Sequence, residues 1–156
     1  MNKFFSILFF LCIHITAGQA QGSAQKVDFK VQCMGIEMDG SQTLRVSGYG
    51  RRRDDAREQA KKNAVWTVIF YGVQEGAKGC NTRPLVTEVN ARERYEDYFN
   101  KFFADGGPYL EYVSLADRKR GSTAHQKDKF GANYIITLRV LCPQLKSKLK
   151  ADGIIK

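Results

Sequence analysis

The sequence predicts an α+β domain, an antiparallel sheet of about four strands with helices packed on one face, in the order β-β-α-α-β-β-α. Three observations carry that prediction. Residues 27–38 and 43–49 alternate apolar and polar side chains around the turn dipeptide Asp39-Gly40. Residues 54–71 place Ala56, Ala60 and Ala64 at i, i+4 spacing, continued by Val68. Residues 134–142 set Tyr134, Ile136, Leu138, Val140 and Cys142 against Ile135, Thr137, Arg139 and Leu141, a run rich in β-branched residues that reads as a central strand.

Ahead of these elements, residues 1–20 read as a sorting signal. Lys3 supplies the positive start, 4–15 are an apolar run, and Gly18-Gln19-Ala20 offers a small-x-small cleavage site before Gln21. The run is too short to span a bilayer comfortably. Cys12 lies inside it behind Phe9-Phe10-Leu11, which is no lipid-attachment context. An exported protein, periplasmic or secreted, is expected, with a single α+β domain over 21–156 and no membrane-spanning segment after cleavage. The formal net charge is +9, one less without Lys3. A basic surface points to an acidic protein or an anionic envelope component as partner, and export makes nucleic acid the least expected of the anionic partners.

The first strand changes phase at Met34-Gly35, the mark of a β-bulge. The second runs through Leu44, Val46 and Gly48 to a glycine-flanked corner, Gly48-Tyr49-Gly50. The helix is expected to start at Asp54 or Asp55, with Glu58 three residues on as an acidic variant of the capping box. Its alanine stripe allows close approach to the hairpin. Trp66, Ile69, Phe70 and Tyr71 nearly encircle its far end, which must be covered by a second element, and Gly72 stops it. A loop over 74–87 carries Cys80 and Pro84. Asn90 and Glu93 then cap a second helix, about 90–104, whose Tyr95, Tyr98, Phe99, Phe102 and Phe103 form an aromatic stripe read as core. A third strand is expected at 109–117, a polar basic connection at 118–133, and a short tail helix after Pro143.

The corner 48–50 sits where a dinucleotide-binding glycine loop would sit. Arg53 stands in place of its third glycine, however, and the preceding strand belongs to a hairpin. The glycines therefore read as a tight joint. Arg51, Arg52 and Arg53 beside a helix N-terminus are the candidate anion- or partner-binding residues, with Asp54 and Asp55 as potential neutralisers. Arg118, Lys119 and Arg120 are a weaker second group. Catalytic residues are not indicated: His125 lies in a loop without nucleophile context, and Glu93, Glu96 and Asp97 belong to a helix surface. Neither a metal nor a cofactor is expected, since no C-x-x-C spacing occurs. Cys33, Cys80 and Cys142 are an odd set, allowing one internal disulfide. Cys33 and Cys142 fall at core-facing strand positions, as a bridge or as two buried thiols, and the bridge is the slightly favoured reading.

The run LRVSGYGRRRDDAREQAKKNAV resembles bacterial envelope lipoproteins of the lipoprotein-20 type and the N-terminal module of the flagellar assembly protein T. In those modules a strand with a small-residue end leads to a helix with alanine every fourth position, here Gly48, Gly50, Ala56, Ala60 and Ala64. The resemblance implies a helix packed on a small antiparallel sheet in a non-enzymatic envelope protein, and it supplies no catalytic residues. The expected function is an exported binding or accessory protein with a basic surface for an acidic partner. The alternatives are a small hydrolase acting on anionic envelope material and a self-assembling structural envelope protein.

Overall fold

A computed structural model of the chain describes residues 29–77, 79–115, 124–127 and 131–156. The expected leader, and with it Cys12, lies outside them, as do Arg118, Lys119 and Arg120. Alternation produces β1 (Val31–Ile36) and β2 (Gln42–Gly50), paired antiparallel through the turn at Asp39-Gly40. Gly40 takes a positive φ of 82°, and the Asp39 carboxylate accepts the Ser41 N–H at 2.9 Å. That hydrogen bond is the main reason the Asp39 carboxyl is held below its ordinary range. The register slips by one residue between Cys33 and Gly35. Met34 is the inserted residue, so the predicted bulge lies where the hydrophobic phase changes.

The long helix α1 (Arg53–Phe70) follows. It starts earlier than its acidic residues suggest. Arg52 is the cap residue, and the Asp55 carboxylate reaches back to accept the Arg52 N–H at 3.1 Å. Asp55 thus occupies the N3 role expected of Glu58. At the other end Gly72, at φ 71°, donates its N–H to the Thr67 carbonyl and closes the last turn.

The strand β6 (Ala132–Val140) inserts beside β2 in one unbroken antiparallel register from Gln42↔Val140 to Gly50↔Ala132. Three shorter strands complete the sheet: β3 (Glu75–Gly76), β4 (Val113–Ser114) and β5 (Ala124–Lys127). The path is β3-β1-β2-β6-β4, with β5 also on β6. Among the described residues the sheet therefore has six strands, not about four, and is mixed, because β3 runs parallel to β1. β3 and β5 escape sequence reading because they are two and four residues long, with no apolar alternation. β5 lies within the stretch expected to be a plain connection.

The second helix is also corrected. It breaks at Tyr95 into α2 (Ala91–Arg94) and α3 (Glu96–Phe102), and Asn90 sits at a positive φ of 65° with no capping hydrogen bond from its side chain. The expected third strand is a 3-10 turn over Pro108–Tyr112 leading into β4. Its two-faced apolar pattern comes from Tyr109 and Tyr112, both buried. The tail helix α4 (Cys142–Ala151) buries Leu145 and Leu149.

One main core unites these elements. Ala60, Ala64, Val65 and Ile69 of α1 meet Leu44 and Val46 of β2 and Ile136, Leu138 and Val140 of β6, all fully buried or nearly so. On the open sheet face Arg45 and Asn133 are exposed, while Thr43, Ile135, Thr137 and Arg139 are half-buried. The aromatic stripe covers the wide end of α1: Phe70 and Phe99 meet edge to face at 4.8 Å, and Trp66 and Phe103 at 5.2 Å. No helix among the described residues is long and apolar enough to cross a membrane.

Candidate functional site

The joint between β2 and α1 is built from missing side chains. A Cβ at Gly48 would overlap the Ala56 carbonyl oxygen and the Ala60 nitrogen, and one at Gly50 would stand 2.5 Å from the Ala56 nitrogen. Ala56 and Ala60 are fully buried. Helix backbone thus rests directly on strand backbone, and Asn63, also buried, donates its amide to the Ser47 carbonyl at 2.9 Å. The glycines are consumed by this packing, which accounts for their spacing without any nucleotide.

The joint presents Arg51, Arg52 and Arg53 side by side, all exposed. The acidic neighbours are divided. Asp55 pairs with Arg52 at 3.6 Å, while Asp54 turns away to Arg57 at 3.8 Å. Both are surface pairs and contribute little. Arg53 has no carboxylate partner among the described residues; its guanidinium lies 5.9 Å from the Tyr134 ring centre, within cation–π range. His125 stacks on the same tyrosine at 5.4 Å and 14°. Tyr134 is buried beside Ala56 and Ala132, so the corner and β5 meet on one anchored ring. Sequence reading placed His125 in a loop; pairing with β6 puts it here.

Among the described residues no group of three or more His, Cys, Asp and Glu side chains could hold a metal ion. A carboxylate hydrogen bond lies elsewhere, between Glu58 and the Tyr109 hydroxyl. Burial opposes ionisation of Glu58, but hydrogen bonds from Tyr109 and Lys61 outweigh it and hold the carboxyl below its ordinary value. Burial and the same contact push the Tyr109 phenol well up. This pair ties α1 to the 3-10 turn.

The expected Cys33–Cys142 bridge is not formed. Cys33 is joined to Cys80, with Cα atoms 6.0 Å apart, and Cys142 is a buried free thiol whose pKa burial pushes up to about 11. The reason is topological. Cys142 opens α4 rather than continuing β6. β2 lies between β1 and β6, a separation of two strand spacings, roughly 9–10 Å. The residue across from Cys33 by way of Leu44 is Leu138, before the strand's end at Val140, so Cys142 falls beyond the ~7 Å Cα limit for a disulfide. Ala77 instead lies along β1, donating its N–H to the Cys33 carbonyl at 2.9 Å, and Cys80 follows within reach of Cys33. The odd cysteine count was the only sequence signal for Cys80. A disulfide between strand and loop is compatible with an exported protein.

A concave feature lies over the aromatic end of α1, beside the stripe whose spacing reads as core rather than as a ligand platform. Trp66, Phe99 and Phe103 floor a groove of about 330 Å³, rimmed by Arg92, Glu93 and Glu96. No protein-family model matches the chain, and comparison with curated proteins and with solved structures returns no match.

Proposed function

We propose that this chain is an exported, non-enzymatic binding or accessory protein of a bacterial envelope or secreted space, which meets an acidic partner through its basic surface. The observation that carries this reading is the Arg51–Arg53 corner. Three consecutive exposed guanidinium groups stand on a joint whose backbone is immobilised by glycine–alanine contact. Holding charges in place before binding lowers the ordering cost of association, and guanidinium forks suit carboxylate and phosphate groups. The strongly basic balance, +9 over the full chain and one less without Lys3, favours encounter with such a partner. The Cys33–Cys80 bridge and the leader-like first twenty residues support the compartment, and the resemblance of the strand-to-helix run to envelope lipoprotein modules points the same way.

The test is a crosslinking pull-down from native envelope with the full chain and with Arg51→Glu/Arg52→Glu/Arg53→Glu. A specific component should be captured by the native chain, released by salt, and lost in the triple variant. Undiminished capture by a folded triple variant would sink the assignment of the corner, and salt-independent capture would sink the electrostatic reading.

A further inference from the structure

The groove over Trp66 has a chemistry opposite to that of the corner. Its floor is aromatic, with Trp66 flanked by Phe70 at 4.5 Å and Phe103 at 5.2 Å. The break at Tyr95 brings the last residues of α2 and the first of α3 to one rim, so that Glu93 and Glu96 both line the cavity. Both are exposed. Neither has a hydrogen-bond or ion-pair partner among the described residues. The Arg92 guanidinium, which shares the rim, pairs with neither of them. It lies instead over the indole, 4.7 Å from the ring centre.

We propose that this groove is a binding site for the guanidinium group of an arginine side chain on a peptide or protein partner, and that Arg92 occupies the site in the free chain. Arg92 shows in the molecule itself that the indole face accepts a planar cation. An incoming guanidinium would take the same face and gain what Arg92 lacks, the two uncommitted carboxylates at the rim. Charge-assisted, two-pronged contact with a carboxylate is stronger than a stack alone, and an exposed cation–π contact is weak enough to be displaced. The cavity, at about 330 Å³, falls at the lower end of the size range of small-ligand sites. A stripe that served only as core would need no open aromatic floor with unpaired carboxylates at its edge. The site is independent of the Arg51–Arg53 corner and would bind groups of opposite charge.

Trp66 is the single tryptophan of the chain, so its emission reports on this groove directly. The full chain is titrated with N-acetyl-arginine amide, with N-acetyl-glutamine amide and methyl glucoside as neutral comparators. The expected result is a saturable change in emission with the arginine derivative alone. Arg92→Ala removes the internal competitor and should tighten binding roughly two- to five-fold, the equivalent of one exposed cation–π contact. Glu93→Gln/Glu96→Gln should weaken it at least as much. No saturable change in either the native chain or Arg92→Ala overturns the proposal. So does an equal response to the glucoside, which would make the groove a sugar platform, or an unaltered titration in the double glutamine variant.

Discussion

Replacing Gly48 by alanine tests the joint on which the corner depends. The added Cβ would lie 2.8 Å from the Ala60 Cα and closer still to the Ala56 carbonyl oxygen and the Ala60 nitrogen. All three are backbone atoms of α1, so no side chain can swing aside. Restoring ordinary contact of 3.4 Å at Ala60 Cα alone requires the helix to back off by roughly 0.6 Å. A gap of about 0.5–1 Å forfeits a quarter to a half of each dispersion contact it opens, here along the fully buried Ala60, Ala64, Val65 and Ile69. Overpacking of this kind costs about 3 kcal/mol at the upper end of its usual range. Reduced freedom of the unfolded chain offsets roughly 0.4–1 kcal/mol of that, leaving a net loss of about 2 kcal/mol or more. Gly35→Ala is the matched control: no heavy atom lies within 4 Å of its built Cβ, so the same unfolded-state gain should leave it neutral or slightly stabilised. Urea unfolding followed by Trp66 emission measures both, with equal slopes showing that only stability changed. If Gly48→Ala unfolds at the same urea concentration as Gly35→Ala, the helix does not rest on the strand as described.

Two further outcomes follow from the same structure. Cys33 and Cys80 close a loop of 47 residues, so the double serine variant should lose about 4 kcal/mol by chain-entropy reasoning. Denatured, unreduced protein lacking residues 1–20 should show one reactive thiol, from Cys142; three would mean that the bridge is absent. The Glu58–Tyr109 contact predicts a pH dependence. Glu58 is depressed below 4.5 in the fold, so its contribution is present above that pH and is lost as pH falls through the folded value. Tyr109 is raised above 10.0, so its contribution holds below pH 10 and disappears only as pH climbs through the higher folded value. Tyr109→Phe should therefore flatten both the acid and the alkaline limb of a urea-midpoint profile. A profile parallel to the native one would show that the contact is absent in solution.

How much of this was legible in the chain depends on the range of the interaction. The bulge at Met34 could be read because a one-residue insertion reverses hydrophobic phase within its own strand. The alanine stripe could be read because burial on a helix recurs every four residues. Arg51–Arg53 was found from its place beside a helix start, but the division of Asp54 and Asp55 between Arg57 and Arg52 depends on rotamers that composition does not encode. The groove over Trp66 was hidden for a different reason. An aromatic stripe at helical spacing looks the same whether it is covered or left partly open, and the break at Tyr95 that opens the rim leaves no glycine or proline behind.

By itself, then, the sequence determined the α+β class, the hairpin, the strand-to-helix joint and the glycines that make it close, because each is a local pattern of burial or backbone freedom. Tertiary structure decided which strand lies beside which. It placed β2 between β1 and β6 and Cys142 at the start of α4, away from Cys33, and it brought Cys80 to Cys33. It brought His125 and Arg53 to the Tyr134 ring, and it laid Arg92 over the indole at the aromatic end of α1. Those are contacts between segments far apart in the chain, and alternation along one strand carries no record of its neighbours.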